Sequence, residues 1–330
     1  MEPLASKIDP FANDPSRWAH SLAHLADIMF PCLDAIGARS VVEVGAYAGD
    51  LTAVLLEWAA ASGARVWAID PAPQDRLVAL GEEHPDLELV RETSHEALRH
   101  VPIPDAVIID GDHNYYTVRE ELRLIGERAP GAELPLLLFH DVSWPHARRD
   151  DYFAPELIPA DDRHPVVPVG QGIFPGASGT RPDGLPYRGS AAREGGERNG
   201  VLSAVEDFVA DRDGLRLAMV PAFFGLGIVW HREAPWAQAV EAIVEPWDRN
   251  PLLERLEANR VLHIATSHAH LAAAIGHQQR SQRLEAVLRR LLESSAFSLA
   301  ERLSRLRQRA GVASGQPAVS KEAVRRALAE

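Results

Sequence analysis

The sequence predicts an α/β protein built on a doubly wound, mostly parallel sheet. Three observations carry that expectation. Short apolar runs rich in β-branched residues recur between residues 38 and 142, several of them end on an acid, and apolar helical patterns fill the intervals. Strands alternating with helices imply βαβ units, and right-handed crossovers then align the carboxyl ends of the strands along one edge. Ligands of such sheets bind outside those ends, so the residues just after each strand are the functional candidates.

In chain order, residues from about Pro15 to Ile36 read as a helix, with Trp18, Leu22, Leu25, Ile28 and Met29 at helical spacing. Ser40–Val44 is the first strand, followed by a glycine turn and the helix Leu51–Ala61. Arg65–Ile69 ends on Asp70, Leu87–Val90 is the third strand, and Ala106–Ile109 ends on Asp110. Leu134–Phe139 ends on His140 and Asp141, and the clearest intervening helix runs from Thr117 to Arg128. The rhythm stops there. Residues 143–200, rich in Pro, Gly, Arg and Asp, read as a long irregular insertion, of the length associated with function or disorder. Regularity returns with a helix over Val201–Ala210, for which Asn199 is the candidate cap, and with Leu215–Val220 and Gly225–Trp230 as an antiparallel pair. From Pro251 onward the leucine spacing is helical (Leu252, Leu256, Leu262, then Leu284, Leu288, Leu291 and Leu292) and arginines crowd the tail. Gly311–Ala318 reads as a flexible linker before a short terminal helix. The expected organisation is an N-terminal helical segment (1–37), an α/β domain (38–235, with the insertion at 143–200) and a helical C-terminal extension (236–330).

The formal charge of −13 argues against general affinity for nucleic acid, whose phosphates demand a basic surface. A single cysteine, Cys32, forms no internal disulfide, which suits a reducing cytoplasmic compartment. Met1–Asn13 holds no apolar run of the signal-peptide kind, and no run elsewhere is long enough to span a bilayer, so no membrane is expected as a partner.

The segment Val41-Val42-Glu43-Val44-Gly45-Ala46-Tyr47-Ala48-Gly49 is a strand running into a glycine turn and a helix. Gly45 and Gly49 let backbone approach a ligand where a Cβ would collide. Asp70, about twenty residues on, is placed for ribose hydroxyls, a feature shared with dinucleotide enzymes. Two details separate the classes. The spacing is Gly-x-x-x-Gly, without the Gly-x-Gly-x-x-Gly that admits a pyrophosphate. Glu43 would repel a pyrophosphate but suits the amino group of a methionine moiety. The bland alternative is a tight strand–helix turn with no ligand.

This segment resembles motif I of class I S-adenosylmethionine-dependent methyltransferases, strongly over residues 38–142 and more loosely over 200–232. The resemblance implies S-adenosyl-L-methionine as cofactor and a Rossmann-like, seven-stranded sheet with an antiparallel last strand. It also implies cofactor contacts from Glu43, Gly45, Ala46, Tyr47, Gly49, Asp70 and Asp110, with Thr93 and Ser94 at the adenine.

Asp110-Gly111-Asp112-His113 follows the fourth strand and His140-Asp141 the fifth, ends that are neighbours in a doubly wound sheet. Asp110, His140 and Asp141 could converge on one ion while Asp112 or His113 faces a substrate. Carboxylates with one or two nitrogens suit Mg²⁺, Mn²⁺ or Fe²⁺ better than structural zinc. The pattern resembles the metal-dependent O-methyltransferases of the macrocin type and the cephalosporin-hydroxylase-like proteins. That resemblance implies Asp110, His140 and Asp141 as metal ligands and Asp112 as general base, with His113 the second catalytic candidate. His140 stands where many relatives carry Asp or Glu, which leaves Mn²⁺ and Fe²⁺ open beside Mg²⁺. The alternatives are that Asp110 and Asp141 cap helices, that His113 is a structural histidine, and that His140 orients Asp141. The expected activity is metal-assisted O-methylation of a hydroxyl on a sugar or glycosylated small molecule. An iron-dependent hydroxylase-like enzyme on the same fold and a non-catalytic scaffold are the other readings.

Within the insertion, Arg148, Arg149, Arg163, Arg181, Arg188, Arg193 and Arg198 are candidates either to grip phosphate or carboxylate groups or to form a solvated surface. Trp144, Tyr152 and Tyr187 are candidates for stacking on a sugar or for local packing, and Gly195–Gly200 for an anion site at a helix N-terminus. The leucine-rich tail fits packing on the domain or a homo-oligomer. His263, His270 and His277 lie too far apart along a helix to share one ion.

Overall fold

The computed structural model describes residues 20–311 and 320–329. Trp18, the Pro15 end of the first expected helix and nearly all of the Gly311–Ala318 linker lie outside the described residues. Within the described residues, the helix expected up to Ile36 is a 3₁₀ turn, Leu22–Leu25, capped by Ser21, that leads into α1 (Ala26–Ala35). Then β1 (Ser40–Val44), α2 (Asp50–Ser62), β2 (Arg65–Ile69), α3 (Asp75–Glu83) and β3 (Leu87–Val90) alternate. The alternation continues through α4 (Ser94–Ala97), β4 (Ala106–Ile109), α5 (Tyr115–Arg128) and β5 (Leu136–Phe139). After the insertion come α6 (Val201–Ala210), β8 (Leu215–Val220) and β9 (Leu226–His231), the labels β6 and β7 falling to a short hairpin within it (Gly172–Ile173 and Thr180–Arg181).

One seven-stranded sheet results, in the order β3-β2-β1-β4-β5-β9-β8. Strand β1 pairs in parallel with both β2 and β4, so the strand order reverses beside it and opens a crevice over the ends of β1 and β4. Strand β9 runs antiparallel to β5 and β8. This is the Rossmann-like, mostly parallel architecture that the sequence predicts. Side chains alternate across the sheet and divide the core. Val41, Val66, Ala68, Ile108, Leu138 and Ile228 pack with α1, α2 and α7 (Ala237–Val244). Val42, Val44, Ile69, Val107, Leu137 and Val229 pack with α5 and α6.

Several boundaries shift for local reasons. Helix α5 starts at Tyr115 rather than Thr117, because Asn114 caps it, its side chain accepting a hydrogen bond from the Thr117 N–H at 2.8 Å. Gly225 stays in the turn before β9, at φ +95°, with Ser143 packed against its Cα. Asn199 does not cap α6. The cap position is Gly200, and the Asn199 side chain instead accepts from the Asp150 N–H at 2.7 Å and donates to the carbonyls of Arg193 and Gly195.

The insertion is ordered rather than irregular. Asp151 bridges Ser190, Val166 bridges Ala191 and Ile173 bridges Leu185, beside the β6–β7 hairpin. Asp150 ties its root together, accepting from the N–H groups of Tyr115 and Gly200 and from the Tyr152 hydroxyl. Arg149, expected at the surface or on an anion, is fully buried, and its guanidinium donates to the carbonyls of Ala191, Ser178 and Ala177. The Gly195–Gly200 turn is no anion site either, since the N–H groups of Gly200, Val201 and Leu202 are taken by Asp150, His146 and Ala147. Replacing Arg149 with methionine is expected to cost roughly 3 kcal/mol in urea denaturation, because buried carbonyls lose their donor and Glu194, at 3.7 Å, loses its partner. A loss under about 1 kcal/mol would show that the guanidinium does not hold the insertion.

The C-terminal part is helical as expected: α8 (Pro251–Glu293), α9 (Ser295–Arg309) and α10 (Lys321–Ala329). Of the described residues, 20–269 form one compact unit, which includes α7 and the first part of α8, and those from 270 onward belong to another. In the larger unit, Ile264 and Ala265 of α8 pack against Val167, Ile173 and Leu185 of the insertion. Among the described residues no helix is long and apolar enough to cross a membrane.

Candidate active site

The carboxyl ends of β1 and β2 are stitched together by acids. Asp70 follows β2, and its Oδ2 accepts from the Tyr47 N–H at 2.7 Å while its Oδ1 accepts from the Ala72 N–H at 2.8 Å. The Tyr47 carbonyl in turn accepts from Gln74, so Tyr47 is held at φ +43° with its ring exposed. Ala46 is buried beside it. Gly45 is required by the protein itself: at φ +84°, a Cβ there would collide with the Asp110 carbonyl at the end of β4. Gly49, at φ +77°, starts α2 where a Cβ would press on Leu80 of α3.

Glu43 points from β1 into the interior. Its carboxyl is 3% exposed as a residue and accepts from the Thr52 hydroxyl at 2.7 Å. Burial pushes its pKa up to about 8, the Thr52 hydrogen bond opposing that rise and the charge of Asp110 adding to it. After β3, Thr93 starts α4 through a capping box with Glu96, its hydroxyl donating at 2.8 Å, and Ser94 follows it.

A second group lies where β4 and β5 end. The Asp110 Oδ1 is 3.0 Å from His140 Nδ1 and 3.3 Å from His113 Nε2. The Asp141 Oδ2 is 3.4 Å and 3.3 Å from the same two nitrogens. Asp141 sits at φ +58°, a left-handed conformation that an aspartate tolerates better than most residues. The His140 Nε2 donates to the Phe223 carbonyl at 2.9 Å, so its Nδ1 is the nitrogen turned to the two carboxylates. In the metal-free chain, burial works against charge on His140 and His113. The facing carboxylates outweigh it and hold the two imidazoles up at about 9 and about 10. Burial likewise opposes ionisation of Asp110, but His140 and His113 draw it down to about 2.

Asp110, His140 and Asp141 thus converge, with one ligand atom from each inside a 4.8 Å span. Two cis ligands about 2.1 Å from one cation stand about 3.0 Å apart, which matches the spacing of Asp110 and His140. Asp112 is turned elsewhere. Its Oδ1 accepts from the Phe153 N–H at 2.9 Å and its Oδ2 from the Thr117 hydroxyl at 3.2 Å, and burial raises its pKa. The residues that sequence reasoning missed are His146 and Asp151, from the root of the insertion. Their ligand atoms come within 4.8 Å of each other and of a His113 nitrogen, and the His146 and His113 rings stack at 5.3 Å. The even spacing of Asp141, His146 and Asp151 in the sequence was the signal available for them. Of the candidate stacking aromatics, Tyr152 is consumed by Asp150 and His164, while Tyr187 packs edge-on against His146.

Residues 42–142, from β1 to just beyond Asp141, match a protein family described as a methyltransferase domain. No curated protein matches the sequence. Among solved structures the chain is similar to a methyltransferase of Podospora anserina bound to SAH, at 14% identity over 67% of this chain and 83% of that one, with a TM-score of 0.41. It is similar also to an O-methyltransferase family protein of Burkholderia thailandensis, at 13% identity over 70% and 63% of the chains and a TM-score of 0.39. A third likeness is to the 1,6-didemethyltoxoflavin-N1-methyltransferase of the same organism, at 14% identity over 68% and 84%, with a TM-score of 0.38.

Proposed function

We propose that the chain is an S-adenosyl-L-methionine-dependent O-methyltransferase whose acceptor is a hydroxyl of a sugar or glycosylated small molecule. In this reading a divalent cation, Mg²⁺ or Mn²⁺, is held by Asp110, His140 and Asp141. The observation that supports it most is the set of His140. With Nε2 donating to the Phe223 carbonyl, Nδ1 is directed at both carboxylates, at 3.0 and 3.4 Å, where a cation can take the place of its proton. The match of residues 42–142 to a methyltransferase domain supports the cofactor half.

Bound S-adenosylmethionine supplies a methyl group on a sulfonium, and a divalent cation supplies a lowered pKa to a neighbouring hydroxyl. The chain's own residues do the rest. Glu43 holds the cofactor's ammonium, and Asp70 keeps unused lone pairs for ribose hydroxyls after pinning Tyr47 and Ala72. Gly45, Ala46, Tyr47 and Gly49 shape the turn against the cofactor, and Thr93 and Ser94 border the adenine. Both Asp112 oxygens are engaged by the Phe153 N–H and the Thr117 hydroxyl, so Asp112 is not placed to take the acceptor's proton, and His113 stands between Asp110 and Asp141. Exposed leucines of the C-terminal helices, among them Leu284, Leu299 and Leu306, support homo-oligomerisation within the same reading.

Calorimetric titration with S-adenosylhomocysteine, with and without Mn²⁺, tests the cofactor assignment. Micromolar binding is expected in at least one condition, followed by methyl transfer to members of a panel of glycosylated acceptors read by mass. Absence of binding in both conditions would overturn it.

A further inference from the structure

We propose that the insertion completes a second divalent-cation site, ligated by His113, His146 and Asp151, so that the sheet edge carries a dinuclear centre. The word dinuclear rests on the metal reading of Asp110, His140 and Asp141, whereas the second site stands on its own residues.

The three ligand atoms lie within 4.8 Å of one another, close to the spread that a single six-coordinate ion imposes on its ligands. Each side chain is held in place from behind. The His146 Nδ1 faces the Arg149 carbonyl at 3.4 Å, which can only accept, so Nε2 is the nitrogen left for a cation. The Asp151 Oδ1 accepts from the Ser190 hydroxyl at 2.8 Å, and the Asp151 N–H donates to the His113 carbonyl at 2.9 Å. That last bond ties a ligand in the insertion directly to a ligand after β4. Arg149, buried next in line, fixes the same stretch of chain from below. Such backing from carbonyl and hydroxyl groups is what ligand-bearing side chains need to keep one orientation.

Charge favours two ions over one. The carboxylates of Asp110, Asp141 and Asp151 all act on His113 at the junction of the two sets, and neutral imidazoles add no charge. One divalent ion leaves the cluster net negative, which would repel an acceptor oxygen as it loses its proton. Two make it net positive. His113 joins the two sets, its Nε2 standing 3.3 Å from both Asp110 and Asp141. Two imidazoles and one carboxylate suit Mn²⁺, Co²⁺ or Zn²⁺ better than Mg²⁺, so the second ion is a transition metal.

The test counts Mn²⁺ bound to the full chain, by equilibrium dialysis with elemental analysis and by loss of the free-ion electron paramagnetic resonance signal. Wild type is expected to bind two equivalents. The double variant His146→Gln, Asp151→Asn is expected to bind one, with the second Kd raised at least 100-fold, and Asn keeps the acceptor oxygen for Ser190. The double variant His140→Gln, Asp141→Asn is expected to bind one as well, at the second site. A wild type that binds one equivalent, unchanged by His146→Gln with Asp151→Asn, would overturn the second site and leave the first standing. One equivalent lost only in that variant would uphold the second site and overturn the first. No tight Mn²⁺ in wild type would overturn both without any variant being needed.

Discussion

His140→Ala is expected to raise the Kd for the Mn²⁺ held with Asp110 and Asp141 at least 100-fold, while the affinity for S-adenosylhomocysteine stays within a few fold. Glu43, Gly45 and Asp70, the residues proposed for the cofactor, lie in or just after β1 and β2, and no hydrogen bond of Glu43 or Asp70 passes through His140. The imidazole is itself aimed by a chain of contacts that begins in α8. Glu257, buried there and gripped by Arg260 at 2.6 and 2.7 Å, accepts from the N–H groups of Phe223 and Phe224. Both phenylalanines sit at positive φ, 51° and 68°, a conformation that bulky residues keep only when their surroundings impose it. The Phe223 carbonyl then receives the His140 Nε2 proton. Glu257→Gln should therefore weaken Mn²⁺ binding too, by about tenfold, as outer partners of metal ligands do. If the two variants fail equally and lose cofactor affinity together, His140 is a folding residue and the metal assignment is wrong.

Glu43→Gln is expected to weaken S-adenosylhomocysteine binding by about 30- to 150-fold at pH 8.5, the value of a charged hydrogen bond worth about 2–3 kcal/mol. It should also change the pH dependence. With its pKa raised from 4.5 to about 8, Glu43 is protonated in the free protein at neutral pH. Binding an ammonium demands the carboxylate, so cofactor binding releases a proton below about pH 8. Wild-type affinity then rises with pH by up to tenfold per unit and levels off above about 8, while the variant stays flat. Stability runs the other way. A carboxyl with a raised folded pKa favours the fold fully below its unfolded value, and that contribution is lost as pH climbs from 4.5 through about 8. The free variant should therefore melt above wild type at pH 8.5 and not at pH 4. A pH-independent wild-type affinity would remove Glu43 from the cofactor site.

The sheet was legible because its information is local. Ser40–Val44, Arg65–Ile69, Leu87–Val90 and Ala106–Ile109 are short runs dominated by apolar and β-branched residues, three of them followed directly by glycine or an acid, and the strands fall on those residues. Buried parallel strands have to read that way, since both faces are covered. Asp110, His140 and Asp141 were legible for the same reason, each following a strand whose neighbour the topology dictates. The insertion was not legible. Its order comes from tethers between residues far apart in sequence, Arg149 to Ala191, Asp150 to Gly200 and Asp151 to Ser190, which leave no period in the chain. His146 and Asp151 were hidden with it. Asp112 shows the converse, because its neighbours along the chain suggested a residue facing solvent chemistry while the fold hung Phe153 on one of its oxygens. At Gly45 the sequence suggested close approach of a ligand, whereas what crowds the position is the chain's own Asp110 carbonyl.

The hold of Glu257 on Phe223 also sets how far the chain can be trimmed. A version cut just after β9 would keep all seven strands, and with them Glu43, Asp70, Asp110 and Asp141. It would lose the anchor two links behind His140, and the imidazole would no longer be held to one rotamer. The shortest piece worth expressing, or fusing to another protein, therefore ends beyond Arg260 rather than at the edge of the sheet.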